Sequence, residues 1–386
     1  MQSVIPSSVR DLTTVLKDAS AEQRTIEIAG NNSKRLMGGP TWPAETKVHT
    51  GGLRRVLKYE PNDLTISVEA GMPFADLQAL LAKNRQMVAL DPPFFAKATV
   101  GGVIATNSNG PMRRGYGTAR DQVIGMKFAT VAGKHISTGG MVVKNVAGLD
   151  IGKLMIGSFG TLAVITSVNF RLHPMPEQTH TFVFSFPDLD QLMEKRNSIL
   201  YSVLRPIALD IISPPAATRL GLRGHVLAMR AGGSPKLLAR YERELPDAMR
   251  MTGAEDTIFW TQIREFPGDF LRRQPSGVVL RISTKLSEVA TLLRLVSGAC
   301  ICRGASGIAY VYLSSWQGAN ALWHAAAENG WSAVVEFAPI ETRTGKELWL
   351  LRPGKESAEA FAMMKKVKQM FDPDTLLNRS RLYGRI

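Results

Sequence analysis

The chain of 386 residues carries a formal net charge of +14 and is 45% hydrophobic, which is typical of a soluble globular protein with two or three sub-domains. No stretch approaches the ~18 consecutive apolar residues that a membrane helix needs, and residues 1–6 lack the basic and then apolar pattern of a signal peptide. The basic residues are scattered and do not alternate with aromatic ones, which argues against nucleic-acid binding. We therefore expect a cytoplasmic protein that binds no nucleic acid.

The N-terminal region predicts a helix, a strand and a polar loop. Ser8 is a suitable N-cap for a helix, with Asp11 three residues on as its capping-box partner. A strand over residues 25–28 then leads into a glycine, two amides, a hydroxyl and a lysine, which are Gly30, Asn31, Asn32, Ser33 and Lys34. Backbone N–H groups and a cation in one turn suit a pyrophosphate, although a polar β-turn is the alternative interpretation.

Two strands over residues 56–59 and 65–69 follow, and a helix begins near Phe74, so this half is predicted to form a small α+β lobe. The glycine-rich centre of the chain comes next, opening with Thr99, Val100, Gly101 and Gly102 before the apolar start of a helix. Paired glycines allow the backbone to approach a flat ligand closely. A turn-rich β domain is the alternative explanation for so many glycines.

Further polar residues and glycines continue this centre, and they are Thr106, Asn107, Gly110, Gly115, Gly117, Arg120 and Asp121. A hairpin is predicted over residues 123–137, and Asp150 is predicted to cap a short helix. Between them, Lys144 and Asn145 form a polar pair among apolar residues, a costly place for a charge unless an anion is near. A lysine in a surface turn is the alternative.

The two cysteines and six histidines do not suggest a metal site. Cys300 and Cys302 are one residue apart, too close for an ordinary disulfide and too few for an iron–sulfur cluster, so we expect inert packing thiols. The histidines never occur at ligand spacing. Any iron–sulfur cluster used with this chain is therefore expected to belong to another protein.

The order of these motifs, together with residues 143–150 (VKNVAGLD) and 157–162 (GSFGTL), resembles the FAD-binding domain of the vanillyl-alcohol oxidase/PCMH superfamily. Within that superfamily the sequence is most similar to the FAD-binding subunits of bacterial glycolate oxidases. The resemblance implies an α+β fold: a PCMH-type FAD-binding domain of two lobes over residues 1–176 and a cap domain over 177–353. It also implies a C-terminal helix and tail over 354–386 that return to the FAD domain. For the cap we expect an antiparallel sheet with helices on one face.

The resemblance further implies that FAD is bound without a covalent link, because no histidine or cysteine occupies the linking positions. The implied cofactor-binding residues are Gly30, Asn31, Asn32, Ser33, Lys34, Thr99, Gly101, Gly102, Thr106, Asn107, Gly110, Gly115, Gly117, Arg120, Asp121, Lys144, Asn145 and Ile165. Ala163 stands where the superfamily usually has glycine. No catalytic residue can be assigned from the sequence.

The implied function is that of a glycolate dehydrogenase subunit that oxidises glycolate, a small 2-hydroxy acid, to glyoxylate. Its implied partners are a sister FAD-linked catalytic subunit and an iron–sulfur subunit, which receives the electrons. Membrane association is expected only through these partners, at the inner face of the plasma membrane. No histidine follows His324, where catalytic relatives carry a histidine-glycine motif, which argues against activity of the chain alone. Two alternatives are a stand-alone FAD-dependent oxidoreductase for another small 2-hydroxy acid or alcohol, and a non-catalytic assembly subunit without flavin.

Overall fold

The computed structural model describes residues 2–141, 150–351 and 355–386. The first lobe contains a three-stranded parallel sheet in the order β1-β3-β2 with one helix against it. Its elements are β1 (Gln2–Val4), α1 (Val9–Ala21), β2 (Ile26–Ala29) and β3 (Thr46–His49). The Ser8 hydroxyl accepts the Asp11 N–H at 3.1 Å, as predicted, and Leu12 and Leu16 of α1 are fully buried against the sheet.

The second lobe is built on a five-stranded antiparallel sheet in the order β4-β5-β9-β7-β8. Its elements are β4 (Val56–Glu60), β5 (Thr65–Glu69), α2 (Phe74–Ala82), β6 (Gln86–Met87), α3 (Val100–Ala105), α4 (Arg113–Tyr116), α5 (Ala119–Gln122), β7 (Val123–Ala129), β8 (His135–Gly139), α6 (Gly152–Met155), β9 (Val164–Arg171) and β10 (His173–Pro174). The N-cap of α6 is Ile151 and not Asp150 as expected, because the Asp150 carboxylate forms an ion pair with Lys153 at 3.0 Å.

The cap begins at the first strand after this lobe and contains a nine-stranded antiparallel sheet in the order β14-β11-β13-β12-β16-β17-β15-β18-β19. Its elements are β11 (Gln178–Phe186), α7 (Leu189–Tyr201), β12 (Ala208–Ile212), α8 (Pro214–Arg219), β13 (His225–Gly233), α9 (Pro235–Glu244), β14 (Met249–Thr252), α10 (Gly253–Arg273), β15 (Val278–Ser283), α11 (Val289–Leu295), β16 (Ala299–Arg303), β17 (Ile308–Leu313), α12 (Trp316–Glu328), β18 (Ser332–Phe337), α13 (Ile340–Arg343) and β19 (Trp349–Leu350).

Helices cover both faces of the cap sheet, so the expectation of helices on one face is wrong. Helices α7, α9, α11 and α12 bury apolar side chains against one face. On the other face, α8 and the 21-residue α10 pack through side chains such as Phe259 and Ile263, and Met37 of the first lobe joins the same cluster. This second face is therefore shared between cap helices and the FAD domain.

The C-terminal segment returns to the first lobe, as the resemblance implies. It consists of α14 (Lys355–Phe371) and a tail made mostly of turns. The Lys368 ammonium lies 2.5 Å from the Asp372 carboxylate and donates to the Thr161 carbonyl oxygen at 2.7 Å. The Ile26 N–H donates to the Leu376 carbonyl oxygen at 2.9 Å, which attaches the tail to β2. None of the helices in the described ranges is long and apolar enough to cross a membrane.

Candidate cofactor site

A cavity of about 880 Å³, including its open mouth, lies where the loop after β2, helix α3, strand β9 and the C-terminal tail meet. The loop supplies polar groups and the helix supplies two glycines. The predicted residues that line this cavity are Gly30, Asn31, Asn32, Ser33, Lys34, Thr99, Gly101, Gly102, Thr106 and Ile165. The structure thus brings together ten of the residues that the sequence motifs singled out.

The two glycines of α3 have different roles. A Cβ on Gly101 would lie 2.9 Å from the Ala70 Cβ and 3.1 Å from the Ala70 carbonyl oxygen, so Gly101 is needed for α3 to pack against its own lobe. Among the described residues, a Cβ on Gly102 would approach only the Thr99 hydroxyl, at 3.0 Å, and would otherwise project toward the cavity. The Thr99 hydroxyl accepts the Gly102 N–H at 3.2 Å and caps the helix. Gly102 therefore leaves room in the cavity for a ligand, whereas Gly101 allows α3 to pack closely against Ala70.

Lys34 is the most informative residue of the cavity. Its side chain is buried, and within the described part of the chain its ammonium has no hydrogen-bond partner. Burial lowers the pKa of Lys34 to about 8, and the attraction of Glu265 and Glu336 only partly opposes that shift. An unpaired buried cation is costly, and an anion in the cavity would remove this cost.

The tail contributes two residues to the cavity that the sequence motifs did not identify, Asn378 and Arg381. The Asn378 amide oxygen accepts the Ile28 N–H at 2.7 Å, and its amide nitrogen donates to the Phe159 carbonyl oxygen at 2.7 Å. The Arg381 guanidinium donates to the Gly39 carbonyl oxygen at 2.9 Å, and burial lowers the pKa of Arg381 to about 10. The tail thus fixes the polar loop and adds positive charge beside it.

Six predicted residues lie outside the residues that line the cavity. Asn107 and Arg120 are exposed. Gly110 lies against Asp91, Gly115 lies against Ile207 of the cap, and Gly117 adopts a positive φ of 78° beside Asp121, which caps α5 through the Thr118 N–H at 2.7 Å. Their assignment to the cofactor remains a prediction. Lys144 and Asn145 lie outside the described residues.

The cavity residues fit FAD. A glycine leaves room at the cavity wall, a buried ammonium lacks an anion, and amide and hydroxyl groups surround it, which is a donor set suited to a pyrophosphate. Within the described ranges, the residues that line the cavity include no histidine or cysteine. Lys34 and the Gly30–Ser33 loop would hold the phosphates, and Gly102 and Thr106 would adjoin the remainder of the cofactor.

A second group of polar residues crosses the cap-sheet face that is shared with the FAD domain. Arg281 on β15 forms an ion pair with Glu336 on β18 at 3.1 Å, and Arg303 on β16 pairs with Asp210 on β12. Tyr310 on β17 stands between them, directly opposite Arg281 in the β15–β17 register, with the Arg303 guanidinium 5.3 Å from its ring centroid. We call these five residues the cap polar row. The sequence motifs identified none of them, because they lie on five separate strands.

The sequence is similar to a known FAD-binding family and to subunits of known oxidases. Residues 2–139 match the FAD binding domain family. The chain is 28% identical over 382 residues to glycolate oxidase subunit GlcE of Escherichia coli (strain K12), covering 96% of each chain. It is 29% identical over 219 residues to glycolate oxidase subunit GlcD of Bacillus subtilis (strain 168), covering 55% of this chain and 45% of that one.

The solved structure of p-cresol methylhydroxylase with substrate bound shares the fold, with a TM-score of 0.75 at 15% sequence identity. The alignment covers 99% of this chain and 88% of the p-cresol methylhydroxylase chain. The α+β, PCMH-type architecture expected from the sequence is confirmed. The resemblance to glycolate oxidase subunits and the prediction of FAD as cofactor are confirmed as well.

Proposed function

We propose that the chain, whose residues 2–139 match the FAD binding domain family, is the FAD-binding subunit of a glycolate-oxidising complex. In this proposal glycolate is oxidised to glyoxylate and the electrons pass to an iron–sulfur partner. The observation that carries the proposal is the buried Lys34 ammonium, which has no hydrogen-bond partner among the described residues of a glycine-lined cavity, because an anionic cofactor at this place would offset the cost of burying that charge.

In this proposal, different parts of the chain would bind the cofactor, position the polar loop and exclude water. Lys34 and the loop before it would neutralise the cofactor's phosphates, and the tail residue Arg381 would hold that loop through its carbonyl oxygens. FAD, when bound, supplies the acceptor for the hydride of the substrate carbon. The cap sheet covers the FAD domain through its second face, which would exclude water from the reacting groups.

Two similarities support a place in a multi-subunit complex. The chain matches both a GlcE subunit over nearly its whole length and a GlcD subunit over about half of its length, which suits two related flavoproteins in one assembly. The net charge of +14 would favour docking of an acidic partner. We propose that the chain is cytoplasmic and reaches the inner face of the plasma membrane only through its partners.

Co-expression tests this proposal. We expect the purified chain to contain FAD but to reduce an artificial electron acceptor with glycolate slowly or not at all. Adding the sister flavoprotein and the iron–sulfur subunit should restore turnover, because the complex then contains a route for the electrons. The measurement is the rate of dye reduction per bound FAD for the chain alone and for the assembled complex.

A complex assembled without this chain serves as the control and should be inactive. Turnover by the isolated chain equal to that of the complex would contradict the subunit proposal and favour a stand-alone oxidoreductase. A chain that assembles but never holds FAD would instead indicate a non-catalytic assembly subunit.

A further inference from the structure

A second cavity lies between the FAD domain and the cap. It encloses about 1460 Å³, including its open mouth, and is larger than the cofactor cavity. Beside it the Gly115 N–H donates to the Ile207 carbonyl oxygen at 3.0 Å, so the two domains are joined at this point. We call it the interdomain cleft, and the residues that define it are Met87, Met112 and Tyr116 of the FAD domain and Thr179, Ile207 and Arg230 of the cap.

Arg230 is held in one orientation at the cap side of the cleft. Its Nε and Nη2 groups donate to the fully buried Asp256 carboxylate at 3.2 and 2.5 Å. Asp256 in turn accepts the hydroxyl protons of Thr179 at 2.7 Å and Thr181 at 2.5 Å. Among the described residues the Nη1 group of Arg230 has no hydrogen-bond partner, and it is not buried. Oriented N–H donors therefore remain available at the cleft.

The FAD-domain side of the cleft combines an aromatic ring with methionine side chains. The Tyr116 ring packs edge-on against His173, with 5.1 Å between the ring centroids. The Tyr116 hydroxyl has no hydrogen-bond partner in the described ranges, and burial raises its pKa, so it stays a neutral donor. Met87, Met112 and Met175 line the same side, and methionine thioethers make favourable contacts with flat rings. The cleft thus offers an apolar wall beside two donor groups.

The charges around the cleft favour a neutral ligand. His180 lies 3.2 Å from Glu242, which also pairs with Arg250 at 2.5 Å. The other charged groups of the described residues that line the cleft or contact its lining do not leave an excess of positive charge, and they are Arg85, Arg230, Asp91, Glu177 and Asp256. An anion would therefore not be attracted, and the guanidinium N–H groups at the wall would repel a cation.

We propose that the interdomain cleft binds an uncharged, flat ring compound with a carbonyl oxygen, which accepts hydrogen bonds from Arg230 and Tyr116 while the ring packs against the methionines. A carbonyl oxygen can accept two hydrogen bonds without bringing a charge into the cleft. None of the residues that line the cleft lines the cofactor cavity. The inference therefore goes beyond the proposed function and does not depend on it.

Saturation-transfer NMR of the full chain with coumarin, an uncharged flat ring compound with a carbonyl oxygen, tests the site. We expect saturable binding with a dissociation constant of about 1 mM or below. Coumarin-3-carboxylate, the same ring with a negative charge, should not displace coumarin. Saturating FAD should leave the coumarin affinity unchanged, because the two cavities share no lining residue. Absence of binding, or displacement of coumarin by the carboxylate or by FAD, would overturn the proposal.

Two substitutions locate the bound coumarin. Met175→Asp should weaken binding at least about 10-fold, because it replaces an apolar contact with a charge, and Met363→Asp is the matched control at an exposed methionine of α14. Tyr116→Phe should weaken binding about 3- to 10-fold through the loss of one donor, and Tyr201→Phe, at an exposed tyrosine, should have no effect.

Arg230 is kept in both variants, because its loss would leave the Asp256 carboxylate buried without a counter-charge. Circular dichroism verifies that each variant is folded. Equal coumarin affinity in Met175→Asp and Met363→Asp would show that the ring does not occupy the interdomain cleft. Equal affinity in Tyr116→Phe and Tyr201→Phe would contradict the assigned hydrogen bond to the carbonyl oxygen.

Discussion

Lys34→Met is expected to raise the free energy of unfolding of the FAD-free protein and to weaken its binding of FAD. Methionine keeps the apolar stem of the side chain but removes the buried charge, whose pKa is lowered from 10.5 to about 8. That difference corresponds to about 3 kcal/mol of the free energy of unfolding at neutral pH. FAD affinity should fall about 100-fold, because the phosphates lose their buried cation.

The direction in which stability changes with pH gives a second test of the role of Lys34. Between pH 8 and 10.5 the unfolded chain holds the lysine proton more firmly than the folded chain does, so this residue makes stability rise with pH in that window. The gain from Lys34→Met, measured by urea unfolding of the FAD-free proteins, should therefore be largest below pH 8 and shrink toward pH 10. Lys236→Met, at an exposed lysine, should change neither stability nor affinity. An FAD-free variant less stable than the unaltered chain would contradict this account of Lys34.

Gly102→Val is expected to give a folded protein with little or no FAD. Among the described residues, the Cβ of the new side chain would closely approach only the Thr99 hydroxyl, and the side chain would fill part of the cavity. A substituent that displaces a ligand by a few tenths of an ångström to an ångström typically costs about 1–3 kcal/mol, so we expect a 10- to 100-fold weaker affinity for FAD. The measurement is the ratio of flavin absorbance to protein absorbance after purification, with circular dichroism to verify folding.

Two other glycines provide controls for this prediction. Gly318→Val, on α12, has open space around its Cβ and should retain FAD. Gly101→Val should instead lower the yield of folded protein, because its Cβ collides with Ala70. Full flavin content in Gly102→Val would show that the cavity beside α3 does not hold the cofactor.

Local patterns explain how much of the site could be predicted from the sequence. The Gly30–Lys34 loop follows its strand directly, and Gly101 and Gly102 follow the N-cap Thr99, so the order of residue types is enough to identify both. The strand over residues 65–69 was predicted with the bounds that the structure has. Such features depend on neighbours in the chain, which sequence patterns capture well.

The remainder of the site depends on contacts between distant parts of the chain. Asn378 reaches Ile28 across 350 residues, and the cap polar row combines five strands, so no local pattern marks either. Helix α10 contains Pro267 and Gly268, yet burial of Phe266 and Phe270 against the sheet outweighs their unfavourable helix propensity.

The cofactor content of the purified full-length chain tests the central claim most directly. We expect a yellow protein with a flavin absorption spectrum, and acid precipitation should release about one FAD per chain into the supernatant, because the described residues that line the cavity include no histidine or cysteine for a covalent link. Flavin that remained in the precipitate would contradict non-covalent binding. A folded, colourless chain that takes up no added FAD would contradict the assignment of the cavity itself.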